Sequence, residues 1–121
     1  MRSEKEEENP EVLVLVRDLI FSTKIRGTAE ALGTPVRLLR DPARLSQHDG
    51  RLLIVDLNLE NAITAAAQWA AQGGERRVVG FVSHVDAGTI AAARQAGIAE
   101  VMARSRFVDV LPSLLANSSD P

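Results

Sequence analysis

Two uninterrupted aliphatic runs, Val12 to Val16 and Leu52 to Val55, set the pattern of the chain. Each is too short for a helix and has no polar residue alternating within it, so each predicts a β-strand covered on both faces. Between them the period changes. From Asp18 to Leu32 the apolar positions Phe21, Ile25, Ala29 and Leu32 fall at helical spacing, with Asp18 placed to begin the helix and Gly33 to close it. Pro35-Val-Arg-Leu-Leu39 predicts a short second strand, and Asp41-Pro42 opens a loop or weak helix that runs to Arg51. After the second run, Glu60 to Gln72 carries six alanines with Ile63 and Trp69 and ends at Gly73-Gly74, which reads as a helix packed closely on a sheet. Val78-Val-Gly-Phe-Val82 predicts a strand stopping at Ser83-His84, and Asp86 to Gln95 another alanine-rich helix closed by Ala96-Gly97. Glu100 to Ala103 predicts a last strand, and residues 106 to 115, with Phe107, Val110, Leu111 and Leu114 on one face, a last helix. Strands and helices in this alternation build a parallel sheet with right-handed crossovers and helices on both faces.

Composition narrows the class without changing the pattern. With 121 residues the chain suits one domain, and 45% apolar against 25% charged residues is ordinary for a globular protein. No apolar stretch approaches the roughly 20 residues of a membrane span, the N-terminus lacks the apolar core of a signal peptide, and there is no cysteine. The expectation is a cytoplasmic protein with no membrane partner. The net charge of −2 lies in the first ten residues: setting aside Arg2, Lys5, Glu4, Glu6, Glu7 and Glu8 leaves twelve basic and twelve acidic side chains. A balanced remainder offers no field for nucleic acid. Residues 1–10 and 117–121 read as disordered tails around a domain of 11–116. Apart from Lys5, the only lysine is Lys24.

Asp56 is the residue around which chemistry would gather, because it ends a buried strand, and open α/β sheets place ligands beyond the carboxyl ends of their strands. The other candidates are weaker. Ser83 and His84 are neighbours at a strand end and point in different directions, so they do not make a nucleophile and its base. His48 and His84, with no cysteine and no paired spacing, do not make a metal site. A flavin-phosphate loop would need a Ser/Thr/Gly-rich turn after the first strand, where the chain has Arg17-Asp18-Leu-Ile-Phe21, and a cobalamin motif is mismatched at Ser83-His84-Val-Asp-Ala-Gly88. No cofactor and no enzyme activity is expected.

Leu52-Leu-Ile-Val-Asp56-Leu-Asn58-Leu resembles the phosphoacceptor strand of response-regulator receiver (CheY-like) domains, and Ala96-Gly97-Ile-Ala-Glu-Val-Met-Ala-Arg104 resembles their alanine-glycine, six residues, lysine segment. The resemblance spans Glu11 to Leu115. It implies a flavodoxin-like, doubly wound three-layer fold with strand order 2-1-3-4-5 in a bacterial signalling protein. It implies Asp56 as phosphoacceptor, Asn58 as a backbone-carbonyl ligand to Mg²⁺, Asp18 as the acidic metal ligand and Ser83 as the hydroxyl that meets the phosphoryl group. Three positions depart from it. Arg17 stands where the first acid of the metal pair should be, Arg104 where the lysine should be, and Val101 where the switch aromatic should be. The expectation is that Arg17 pairs with Asp18 or Asp56 and replaces the metal, making a pseudo-receiver.

Such a chain would be a stand-alone signalling domain working through a protein partner, a histidine kinase or another signalling protein, independently of phosphorylation. The alternative is a phosphorylatable single-domain regulator that uses Mg²⁺ on Asp18, Asp56 and Asn58. His84, Val85 and Phe107 lie near the edge that receivers use for partners and homodimers, although all three read equally as core.

Overall fold

A computed structural model describes residues 11–84 and 86–118; both expected tails except residues 117 and 118, and Val85, lie outside them. The five strands are β1 (Val12–Leu15), β2 (Val36–Leu39), β3 (Leu52–Asp56), β4 (Arg77–Val82) and β5 (Glu100–Ala103). They form one parallel sheet in the order β2-β1-β3-β4-β5. The helices are α1 (Leu19–Leu32), α2 (Ala62–Ala71), α3 (Ala87–Gln95) and α4 (Arg104–Ser118), with a 3-10 helix at Pro42–Gln47. This is the doubly wound, flavodoxin-like arrangement, whose topological switch point lies between β1 and β3. No helix among the described residues is long and apolar enough to cross a membrane.

The aliphatic runs are buried because both faces of the central strands are covered. Val12, Val14, Val16, Leu52, Ile54, Val79 and Phe81 face α1 and α4, where they meet Phe21, Ile25, Phe107 and Leu111. The alternate residues Leu13, Leu15, Leu53, Val55, Val78 and Val82 face the other layer, where they meet Ala62, Ala66 and Trp69 of α2 and Ala93 of α3. Period-two alternation divides each strand between two cores. The edge strands β2 and β5 are only half-buried.

The helix ends follow the chemistry of their caps. Asp18 Oδ1 accepts from the Phe21 N–H, and Gly33, at φ 71°, donates to the Ala29 and Glu30 carbonyls, a left-handed exit that glycine adopts without strain. The α2 to α3 layer has its own anchor. The Trp69 indole is fully buried, donates to the His48 carbonyl at 2.9 Å and lies under the Arg76 guanidinium, which also pairs with Asp49 at 2.8 Å. The uncertain segment after Pro42 resolves as the 3-10 helix, capped by the Asp41 carboxylate on the Ala43 N–H at 3.0 Å, with Leu45 held in the α2-side core. The last helix begins at Arg104, directly after β5, and reaches Ser118, so it is longer than its apolar face indicates and enters the segment expected as a tail. All three phenylalanines gather in one cluster: Phe21 and Phe107 are 5.8 Å apart, Phe81 stacks on Phe107 at 4.8 Å, and Phe21 meets Phe81 edge-on at 5.3 Å. The cluster lies beneath the carboxyl end of the sheet, so Phe107, 0% exposed, is core and not a partner surface.

Candidate functional site at the carboxyl end of the sheet

Asp56 ends β3 with its side chain buried to 8% exposure. A carboxylate at that depth needs donors, and two serve it. The Asn58 N–H reaches Oδ1 at 3.0 Å in an Asx turn, and the Ser83 hydroxyl stands 3.5 Å from Oδ2, at the limit of a hydrogen bond. The turn keeps its register through the Leu57 N–H, which donates to the Phe81 carbonyl at 2.9 Å. Asp56 and the start of its loop are therefore tied to the end of β4.

Asp18, after β1, forms the second acidic point. Its Oδ1 caps α1 and its Oδ2 receives the Arg104 guanidinium at 3.4 Å. The same guanidinium lies over the Phe21 ring, its Cζ 3.8 Å from the centroid, so a cation–π contact holds it in place. The Phe21 N–H, with a smaller contribution from Arg104, holds the Asp18 carboxyl below its ordinary range. Among the described residues, no three acidic, histidine or cysteine side chains converge on one point.

Arg17 does not fill the role expected of it. It is exposed, and its guanidinium donates to the Arg40 carbonyl at 3.4 Å, at the end of β2, pairing with neither Asp18 nor Asp56. The reason is register. The Val16 N–H donates to the Leu39 carbonyl at 3.1 Å, extending the β1–β2 pairing by one residue, so Arg17 emerges beside Arg40. The cation that meets the pocket comes from the opposite side, Arg104 at the first position of α4.

Of the residues singled out from the sequence, Asp18 with Arg104, and Asp56 with Asn58 and Ser83, form two groups at the same end of the sheet, and Arg17 turns away. Val101 is half-buried against the α2 to α3 core and leaves no aromatic there to move. His84 is exposed. Two participants have no sequence signal of their own: Phe21 as the platform for Arg104, and the side chain of Asn58. The Asn58 Oδ1 accepts from the Ser83 N–H at 2.6 Å and from the His84 N–H at 3.0 Å, bridging the loops after β3 and β4.

No family model and no curated protein matches the sequence. Solved structures do match the fold. A response regulator from Thermotoga maritima is 17% identical, with a TM-score of 0.65 over 87% of this chain and 98% of that one. A response regulator from Burkholderia pseudomallei, solved with a phosphorylated aspartic acid, a calcium ion and citrate, is 19% identical, with a TM-score of 0.72 over 92% of this chain and 69% of that one. An atypical orphan response regulator, described as revealing a phosphorylation-independent regulatory mechanism, is 12% identical, with a TM-score of 0.71 over 88% of this chain and 92% of that one. From Glu11 to the last helix, the chain has the fold of response-regulator receiver domains.

Proposed function

We propose that this chain is a receiver-like signalling module that acts by binding a protein partner, a histidine kinase or another signalling protein, and that its site works without phosphorylation. One observation carries the reading: the Arg104 guanidinium sits on the Asp18 carboxylate and is held there by the Phe21 ring. Phosphoryl transfer to a carboxylate brings negative charge onto negative charge, so a cation free to neutralise the incoming group must stand beside the acceptor. Mg²⁺ would need oxygen ligands in near-octahedral array. Here Asp18 has one oxygen on the Phe21 N–H and the other on Arg104, and Arg17 contributes no acid. With both Asp18 oxygens engaged and no acid at position 17, few oxygen ligands are left for Mg²⁺ beside Asp56, which supports a site that works without the metal.

A second reading has its own observation. The Ser83 hydroxyl stands 3.5 Å from Asp56 Oδ2, the pairing a phosphorylatable site would use. One experiment separates the two: incubation with acetyl phosphate and Mg²⁺, followed by intact mass, with Asp56→Asn as control. The expected result is no added phosphoryl group. An adduct on the wild-type chain that disappears in the control overturns the phosphorylation-independent reading.

A further inference from the structure

The loop after β4 presents two adjacent backbone donors, the Ser83 and His84 N–H groups, toward the loop after β3. Adjacent N–H groups aimed at one point form a donor site for an oxygen atom, such as one of an anion's. The chain fills the site itself with the Asn58 carboxamide oxygen, at 2.6 and 3.0 Å. Asn58 is well held for this. Its own N–H is fixed on Asp56 Oδ1 at 3.0 Å, and the preceding Leu57 is buried and bonded to Phe81. The carboxamide thus has a short reach from a rigid base, so little rotamer freedom is lost in making two bonds.

We infer that Asn58 is a positioning residue that acts as a tethered surrogate for an anion, latching the Ser83–His84 turn to the tip of β3 in a single conformation without a ligand. The inference rests on the phosphorylation-independent reading and extends it: the site supplies both its own cation, Arg104 on Asp18, and its own acceptor, Asn58 on the loop donors. Ser83 and His84 are both exposed, so the latch keeps a preformed loop in front of any partner. A loop whose amides waited for an anion would change shape on binding one, whereas this loop is already closed.

Hydrogen exchange of the full chain, resolved at single amides by NMR, tests the latch in wild type, Asn58→Ala and Asn58→Asp. In the wild type the Ser83 and His84 amides should exchange at least about tenfold more slowly than in an unstructured peptide. Asn58→Ala should bring both to within about threefold of the peptide rate, while core amides of β1 and β3 keep their protection and so show that the fold is intact. Asn58→Asp retains an acceptor oxygen and should restore the protection. Unprotected amides in the wild type, or equal protection in Asn58→Ala, would overturn the latch. The two readings fail separately. After acetyl phosphate treatment the wild-type Ser83 and His84 amides should stay protected whether or not Asp56 gains a phosphoryl group. An adduct with protection retained removes only the phosphorylation-independent reading, and loss of protection on adduct formation removes the latch.

Discussion

Replacing Gly80 by alanine would place a methyl carbon 2.6 Å from Leu57 Cδ1, 2.8 Å from Cγ and 2.9 Å from Cδ2. Carbon atoms in contact prefer about 3.5–4.0 Å, and Leu57, 2% exposed within the α2 to α3 core, has no solvent to swing into. Overpacking of this kind costs about 1–3 kcal/mol, offset in part by the roughly 0.5–1 kcal/mol that alanine recovers from the flexibility of glycine. The expected destabilisation of Gly80→Ala is therefore at most about 2.5 kcal/mol. Leu57→Ala alone removes a buried side chain and should cost about 2–5 kcal/mol. In the double variant the methyl group added at position 80 enters space that the Leu57 side chain has left, so the combined loss should fall short of the sum by at least about 1 kcal/mol. Urea denaturation followed by circular dichroism measures all four corners of the cycle. Leu57 lies between Asp56 and Asn58, so Gly80→Ala should also move the Asn58 and Ser83 amide resonances. Additivity within about 0.5 kcal/mol would refute the argument that Leu57 is packed against the Gly80 backbone and positions the site loop.

Two further outcomes follow from the charges. Arg104→Ala should raise the Asp18 carboxyl part of the way toward its ordinary value, because the Phe21 N–H that contributes most remains; a carboxyl-carbon NMR titration reads this, and an unmoved titration sinks the pairing. Stability should fall in acid in two stages. Burial, then the charges of Arg37 and Arg44, holds His48 below its ordinary 6.5, so below that pH the unfolded chain binds a proton that the folded chain resists. The Arg77 guanidinium hydrogen-bonded to Glu100 holds that carboxyl below its ordinary 4.5, so its contribution is present above 4.5 and is lost as pH falls through the folded value. Both groups lie near the surface and each effect is small. The urea midpoint, followed from about pH 7 to about pH 3, should lose its upper decline in His48→Gln, while its lower one should shrink but persist in Glu100→Gln, because the Asp18 and Asp86 carboxyls are also held below their ordinary values. A decline below 6.5 unchanged in His48→Gln would rule out the first assignment.

Much of the fold could be read from local chemistry. An aliphatic run without polar alternation has no solvent-facing side, so β1 and β3 had to be central strands. Asp18 before an amphipathic stretch and Gly33 after it act through hydrogen bonds within a few residues, and those hold wherever the helix packs. The segment after Pro42 was ambiguous because its one buried aliphatic, Leu45, is held by α2 and not by a period of its own. The end of α4 escaped the apolar pattern because that pattern marks only the buried part of a helix.

What the sequence determined alone is the order of the elements and the presence of Asp18, Asp56, Asn58, Ser83 and Arg104 at strand ends, since each depends on neighbours along the chain. Which arginine meets the acidic pocket depended on tertiary structure. Arg17 adjoins Asp18 in sequence, yet the extra β1–β2 hydrogen bond at Val16 carries it toward Arg40, while Arg104 arrives from 86 residues away across the Phe21 ring. The Asn58 bridge to Ser83 and His84 has the same origin: it spans two loops that only the pairing of β3 with β4 brings together. Backbone register sets such contacts, and register arises from the whole sheet.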